Sequence, residues 1–138
     1  MSFQDCLRKG LVFKADIDRH RIAGELEVAE RFLSKARGLV KPDYYDVSLL
    51  LSYTSMFHSA RSLLFTKGYS EKSHACLVLA VKEFFKGDGE LQDLLDALDA
   101  YRRTRQLIQY SGESCSKTDA EQAILDAGKL LAVARRQP

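Results

Sequence analysis

The sequence predicts an all-α protein, an up-and-down four-helix bundle with additional short helices. Apolar residues recur every three or four positions over most of the chain, as the buried face of a helix requires. The chain has only two prolines, Pro42 and Pro138, and no sustained alternation of apolar and polar residues that would indicate a strand. A length of 138 residues suits one domain. We therefore expect a single helical domain over residues 1–138, with residues 1–15 as a short, loosely attached leader helix.

The first half of the chain predicts two long helices. One apolar stripe runs along residues 16–40 and predicts the first of them. Pro42 disfavours helix just before it, and Asp43 is a suitable N-cap for the next helix. Residues 44–67 are apolar almost all round, which is typical of the central helix of a bundle.

The second half predicts three more helices, separated by turns that contain glycine. Gly68 favours a stop after the central helix, and Ser70 is predicted to cap a helix that runs to about residue 86. The next helix is predicted over residues 90–110. Thr118 and Glu121 have the spacing of a capping box, which predicts the start of a shorter C-terminal helix.

Composition bears on the compartment and on the class of site. No apolar run approaches the roughly 18–20 residues that a membrane-spanning helix needs, and the first ten residues do not have the pattern of a signal peptide. Cys6, Cys76 and Cys115 are odd in number and widely spaced, which favours reduced thiols over a disulfide framework or a zinc site. We expect a cytoplasmic protein that carries no metal and no other cofactor.

One charged residue, Arg105, lies in the middle of the apolar stripe of the 90–110 helix. Arg102 has an acid, Asp99, three residues before it, which is a favourable spacing on a helix. The residues four before and four after Arg105 are Tyr101 and Gln109, so no such acid is available to it. Because an unpaired buried guanidinium costs several kcal/mol, Arg105 needs an anion from another helix, another subunit or a ligand phosphate. The alternative is that its charged end reaches solvent at the end of the bundle.

The order of several short motifs resembles the HEPN family (higher eukaryote and prokaryote nucleotide-binding domains), and within it the small stand-alone prokaryotic branch. The resemblance covers roughly residues 18–135, nearly the whole chain. It depends on three groups of residues: Tyr53, Phe57, His58, Ala60 and Arg61 in one helix, the "KSH" of residues 72–74, and Arg105 with Tyr110 five residues later.

The resemblance implies a helical bundle that forms a homodimer and is paired with a minimal nucleotidyltransferase in a toxin–antitoxin type system. Active members of the family resemble metal-independent endoribonucleases with an R-x4-6-H motif. There the arginine would stabilise charge on the phosphate and the histidine would transfer a proton. Here Tyr110 stands where the motif has histidine. A tyrosine, with an unperturbed pKa of about 10, is a poor general base at neutral pH.

Two functions therefore stay open, and the absent histidine favours the first. In the first, a dimeric module binds a nucleotide or RNA phosphate, or a nucleotidyltransferase, and cuts nothing. In the second, the protein is an endoribonuclease toxin with a degenerate motif. The candidate catalytic residues are Arg105 and Tyr110, and the candidate ligand-binding residues are Arg105, Arg102, His58 and His74. For the two histidines the alternatives are a core histidine bonded to a backbone group or an acid (His58) and a helix-start residue packed under a loop (His74).

The resemblance and the spacing also give two geometric expectations. The dimer interface should include the end of the 90–110 helix. Arg105 and Tyr110 should lie close to the same cleft. A five-residue step on a straight helix turns by about 140°, so the second expectation requires the helix to end near Gln109.

Overall fold

The computed structural model describes residues 1–137 and confirms the all-α fold class. These residues form six helices and two short strands. In chain order the elements are α1 (Phe3–Arg8), β1 (Val12–Lys14), α2 (Arg19–Gly38), α3 (Tyr45–Thr66), β2 (Tyr69–Glu71), α4 (His74–Phe84), α5 (Gly89–Ser111) and α6 (Lys117–Arg135). Within residues 1–137, no helix combines the length and the apolar character that crossing a bilayer requires.

Helix α3 is the central helix, as its apolar sequence predicts. It packs against α2, α4, α5 and α6. One side of α3 is a row of buried small residues rather than large apolar ones, and these are Ser48, Ser52, Ser55, Ser59 and Ser62. Small side chains allow α2 to approach closely, and two hydroxyls satisfy their hydrogen-bonding needs there. The Ser48 hydroxyl donates to the carbonyl of Ala36 at 2.8 Å, and the Ser55 hydroxyl donates to that of Ala29 at 2.7 Å.

The ends of the central helix correct one sequence prediction and confirm another. Gly68 follows the last helical turn with φ +79°, the left-handed conformation expected of a residue just past a helix C-terminus. Asp43 was expected to be the N-cap of α3, but that position is taken by Tyr44. Asp43 instead has φ +64° and its carboxylate accepts a hydrogen bond from the Tyr45 hydroxyl at 2.7 Å.

The N-terminal caps of α4 and α6 also differ from the predictions. Ser70 lies in β2 rather than capping α4, and the cap is Ser73, whose hydroxyl oxygen accepts from the Cys76 amide at 3.2 Å. The capping box of α6 is formed by Ser116 and Asp119, two residues earlier than the predicted pair Thr118 and Glu121. As a result α4 has only 11 residues and α6 has 19. The fourth long helix of the bundle is therefore α6.

The N-terminal segment is firmly attached, and the expectation of a loose leader helix is wrong. After α1 the chain forms β1, which pairs antiparallel with β2, with Val12 opposite Glu71. Cys6 has 0% of its surface exposed and forms a disulfide with Cys76 in α4. The prediction of three reduced thiols is therefore wrong for this pair, while Cys115 is free. The fold brings together two cysteines that are 70 residues apart, which their spacing alone does not reveal.

Candidate functional site

Three helices meet at the surface around Arg105. Its guanidinium carbon lies over the ring of Tyr53, 5.0 Å from the ring centre. The Tyr53 hydroxyl shares a hydrogen bond of 2.7 Å with Nδ1 of His74, whose ring stacks on Phe57 with centres 4.2 Å apart. We name the residues Tyr53, Phe57, His74, Arg102 and Arg105 the Arg105 surface.

Local structure explains why these side chains meet. Tyr53 and Phe57 are four residues apart on α3, so they project from the same side of that helix. His74 is the first residue of α4, directly after the Ser73 cap, and this fixes the imidazole at the helix start. Arg105 comes from the C-terminal half of α5, one turn beyond Tyr101, which packs against the buried core. Its position in the stripe agrees with the sequence spacing, and the structure shows that it contacts α3.

Arg105 has no carboxylate partner among residues 1–137. Its Nε atom is buried and makes no hydrogen bond. The neighbouring cations share one acid, because Arg102 binds Asp99 at 3.2 Å and Arg103 binds the same carboxylate at 2.6 Å, so this group keeps one positive charge. The sequence-based inference that no acid on its own helix pairs with Arg105 is therefore correct, and no other helix of the described chain supplies one.

A second group of charged residues lies beside this surface and is internally neutralised. His58 donates from Nδ1 to a Glu25 carboxylate oxygen at 2.5 Å. Arg61 lies between two acids, with Nε 3.1 Å from Glu71 and Nη1 3.5 Å from Glu25. Burial raises the pKa of the Glu71 carboxyl, and the charge of Arg61 opposes that effect. The structure thus gives His58 the role of a half-buried histidine bonded to an acid, one of the two alternatives left by the sequence.

Electrostatics favour the neutral forms of the two titratable groups nearest Arg105. Burial lowers the pKa of the His74 imidazole, and the positive charges of Arg105, Arg102 and Arg61 lower it further. Burial raises the pKa of Tyr53, with a smaller opposing effect from Arg105 and Arg102. At neutral pH the surface therefore presents an uncompensated guanidinium beside a neutral imidazole.

Tyr110 is not part of this surface, and the expectation that it lies close to Arg105 is wrong. Helix α5 continues to Ser111 and ends at Gly112, which has φ +68°. The five-residue step therefore remains on a regular helix and turns the Tyr110 side chain about 140° away from Arg105. Tyr110 is 82% exposed. The helix stop needed near Gln109 does not occur.

The four residues named from the sequence as ligand contacts lie in one region. His58, Arg102 and Arg105 are all close enough to His74 for their charges to lower its pKa. Sequence reasoning missed Tyr53 as the residue that contacts both Arg105 and His74, and it missed the acids that neutralise Arg61. The i, i+4 spacing of Tyr53 and Phe57 was the available signal for a shared face. The described residues contain no group of three or more potential metal ligands.

The fold and the site together define an all-α bundle with a cationic and aromatic surface at the junction of three helices. The family model of the HEPN domain matches residues 25–137, so this chain belongs to the HEPN domain family, as its motifs indicated. The segment that carries α1 and β1 precedes the matched region.

Three relatives are similar over most of the chain. "Putative toxin MJ0605" of Methanocaldococcus jannaschii is 28% identical over 111 residues, which cover 79% of this chain and 82% of the relative. "UPF0332 protein glr0978" of Gloeobacter violaceus is 31% identical over 116 residues, covering 79% and 89%. "Putative toxin MJ0142" of Methanocaldococcus jannaschii is 27% identical over 106 residues, covering 76% and 72%.

Proposed function

We propose that this protein is a homodimeric, toxin-type HEPN module whose Arg105 surface binds a phosphate of a nucleotide or of RNA, and that it pairs with a minimal nucleotidyltransferase. The observation that carries the proposal is the guanidinium of Arg105, which has a buried, unbonded Nε and no acid to pair with. Two of the similar proteins are named as toxins, which supports the toxin-type role.

A phosphate is the anion that best fits this surface. A guanidinium offers a planar fork of donors that matches two phosphate oxygens. Arg102 adds positive charge nearby, although Asp99 compensates part of it. The half-buried rings of Phe57 and His74 stack on each other, and the Tyr53 hydroxyl that bonds to His74 belongs to the ring under the guanidinium. Aromatic rings are common contacts for unpaired bases. A nucleotide or a single-stranded RNA segment would use both features.

Replacing Arg105 tests this binding directly. Loss of a hydrogen bond to a charged group costs about 1.5–3 kcal/mol, so Arg105→Ala should weaken binding of a labelled AMP or short RNA by about ten- to a hundredfold. The matched control is Arg103→Ala, since Arg103 lies two residues away, is largely exposed and is already bound to Asp99. Fluorescence anisotropy measures both affinities. Equal losses for the two variants would show that general charge, rather than Arg105, accounts for the binding.

The C-terminal half of α5 is the proposed dimer interface. Beyond Leu98 this helix has no fully buried residue, and two apolar side chains three residues apart, Leu107 and Tyr110, are 51% and 82% exposed. Both side chains are turned about 140–160° from Arg105 around the helix. Dimer formation and anion binding should therefore be separable.

Sedimentation tests the dimer. The wild type should sediment as a dimer at tens of micromolar, and Leu107→Glu should shift it to a monomer that still binds the anion. Leu125→Glu is the control, because Leu125 is a similarly exposed leucine on α6. A wild type that is monomeric at that concentration would contradict the proposed dimer.

A metal-independent endoribonuclease is the second candidate function, and one observation favours it. His74 is a histidine kept neutral at neutral pH, close to Arg105 in space though not in sequence. A neutral imidazole beside a phosphate-binding guanidinium has the chemistry for proton transfer during RNA cleavage. Cleavage of a mixed RNA pool with metal ions chelated tests this activity, and it should be lost in both Arg105→Ala and His74→Gln if this candidate is correct.

Co-purification tests the partner. When the protein is expressed together with the product of an adjacent minimal nucleotidyltransferase gene, the two should elute as one complex. Asp93 and Asp96, two acidic residues of α5, are exposed. They provide the first surface to alter by charge reversal if a complex forms.

A further inference from the structure

We propose that the Arg105 surface selects a terminal phosphate, the phosphomonoester of a nucleotide or of an RNA end, over an internal phosphodiester, and that His74 completes the site by taking up a proton as the doubly charged anion binds. This inference rests on the proposed phosphate-binding function. It adds the class of phosphate and the second residue that holds it.

The geometry places Arg105 and His74 against one rigid side chain. Tyr53 is only 3% exposed, with the Arg105 guanidinium over its ring and the His74 imidazole bonded to its hydroxyl at 2.7 Å. The hydrogen bond uses Nδ1 of His74, so Nε2 is the nitrogen left to contact a ligand. A tyrosine that contacts both groups holds them as a preformed pair.

A protonated His74 would match the additional charge that a phosphomonoester carries. A phosphomonoester has a second pKa of about 6 and is mostly doubly charged at neutral pH, whereas a phosphodiester carries one charge. Arg105 supplies one uncompensated positive charge. Arg102 and Arg103 share Asp99 and keep one positive charge between them, but Arg103 is largely exposed, and Arg61 lies between two acids. His74 contacts the same tyrosine as Arg105, so its protonation adds a positive charge next to the bound anion.

The surroundings of His74 make its protonation depend on the ligand. The groups that face it are Arg102 and Arg105 from α5, and Tyr53, His58 and Arg61 from α3. In the free protein burial and these cations lower the pKa of His74, so the imidazole is neutral at pH 7. A bound dianion has the opposite sign and raises that pKa. Between the two pKa values binding therefore takes up a proton, and affinity for a dianion increases as the pH falls.

Calorimetry with simple anions tests this inference. Sulfate stays doubly charged throughout the relevant pH range, and dimethyl phosphate is a singly charged diester. In two buffers of different ionisation enthalpy, sulfate binding should show measurable proton uptake near pH 7, with one proton per site as the upper limit. Its affinity should increase by up to about tenfold per pH unit as the pH falls. Dimethyl phosphate should bind at least several-fold more weakly and with less proton uptake. A 5′-phosphorylated dinucleotide should likewise bind better than the unphosphorylated one.

The variants assign the proton to His74. His74→Gln should abolish proton uptake and the pH dependence, while His20→Gln, the control at an exposed histidine of α2, should retain both. If His74→Gln does not fold, imidazole NMR titration of the wild type provides the same test, because sulfate should raise the pKa of His74.

The outcomes distinguish failure of this inference from failure of the proposed phosphate-binding function. Binding of the diester as tightly as the monoester, or proton uptake that persists in His74→Gln, would overturn the inference and leave phosphate binding intact. Failure of every anion to bind would overturn the proposed function as well.

Discussion

The disulfide between Cys6 and Cys76 should supply a large share of the stability of this protein. The bridge closes a loop with a sequence separation of 70 residues. In the chain-entropy description, a loop of that length loses about 15 cal/mol/K in the unfolded state, which corresponds to about 4.4 kcal/mol at 25 °C. A small domain has a total stability of about 5–15 kcal/mol, so this loss would be a large fraction of the total.

Reduction of the wild type measures the effect without changing any side chain. Urea unfolding followed by circular dichroism, with and without a non-thiol reductant, should show that the reduced protein is less stable by about 2–4 kcal/mol, the usual range for such a bridge. The control is Cys115→Ser, which removes the free thiol and should respond to the reductant just as the wild type does. Hydrogen exchange should show that reduction accelerates exchange first in α1 and β1.

Two results would refute this reasoning. Three titratable thiols in the native, unreduced protein would show that the bridge is absent. A change of less than about 1 kcal/mol on reduction, with the bridge verified by mass, would show that the unfolded chain is already compact enough to gain little from the cross-link.

Three further predictions follow from the core and the site. Ser59→Ala should stabilise the protein or change its free energy of unfolding by less than about 0.5 kcal/mol, because the buried Ser59 hydroxyl has no hydrogen-bond partner. Ser55→Ala should lower the free energy of unfolding by about 1 kcal/mol, because it removes a hydrogen bond to a backbone carbonyl. Urea unfolding measures both. The lowered pKa of His74 means that the unfolded state binds more protons, so wild-type stability should fall as the pH drops below about 6.5, and His74→Gln should flatten this slope. Tyr110→His should create no RNase activity, because an imidazole at that exposed position points away from Arg105. RNA cleavage by this variant that is lost when Arg105→Ala is added would contradict the prediction.

The sequence predicted the long helices well because their signal is long. The apolar stripe predicted α5 over residues 90–110, and the structure has Gly89–Ser111; residues 44–67 predicted α3, observed as Tyr45–Thr66. Caps were less predictable, since serine, threonine and aspartate occur at several positions near each helix start. Strands β1 and β2 have three residues each, too few to show a two-residue period, and each depends on a partner far away in the sequence.

The cysteine prediction failed for a related reason. An odd number of cysteines without a motif is typical of reduced thiols, but that is a statement about compartments and not about distances. Whether Cys6 can reach Cys76 depends on how the N-terminal segment packs. That packing depends on the pairing of β1 with β2 and on the burial of α1 against α4. No local feature of the sequence reports either contact.

Arg105 could be singled out from the sequence because the lack of an acid one turn away is a local property. The residues that contact Arg105 come from other helices and cannot be identified locally. The absence of an acid at i±4 is readable from the sequence, and the structure extends this absence to the rest of residues 1–137. In the structure the nearby acids bind other cations. Glu25 and Glu71 bind Arg61, and Asp99 binds Arg102. Because those acids are already paired, an anion that approaches Arg105 meets a guanidinium without an acid partner, next to two arginines that share one carboxylate. The allocation of acids among neighbouring cations, rather than the arginine alone, is what makes this surface suited to a phosphate.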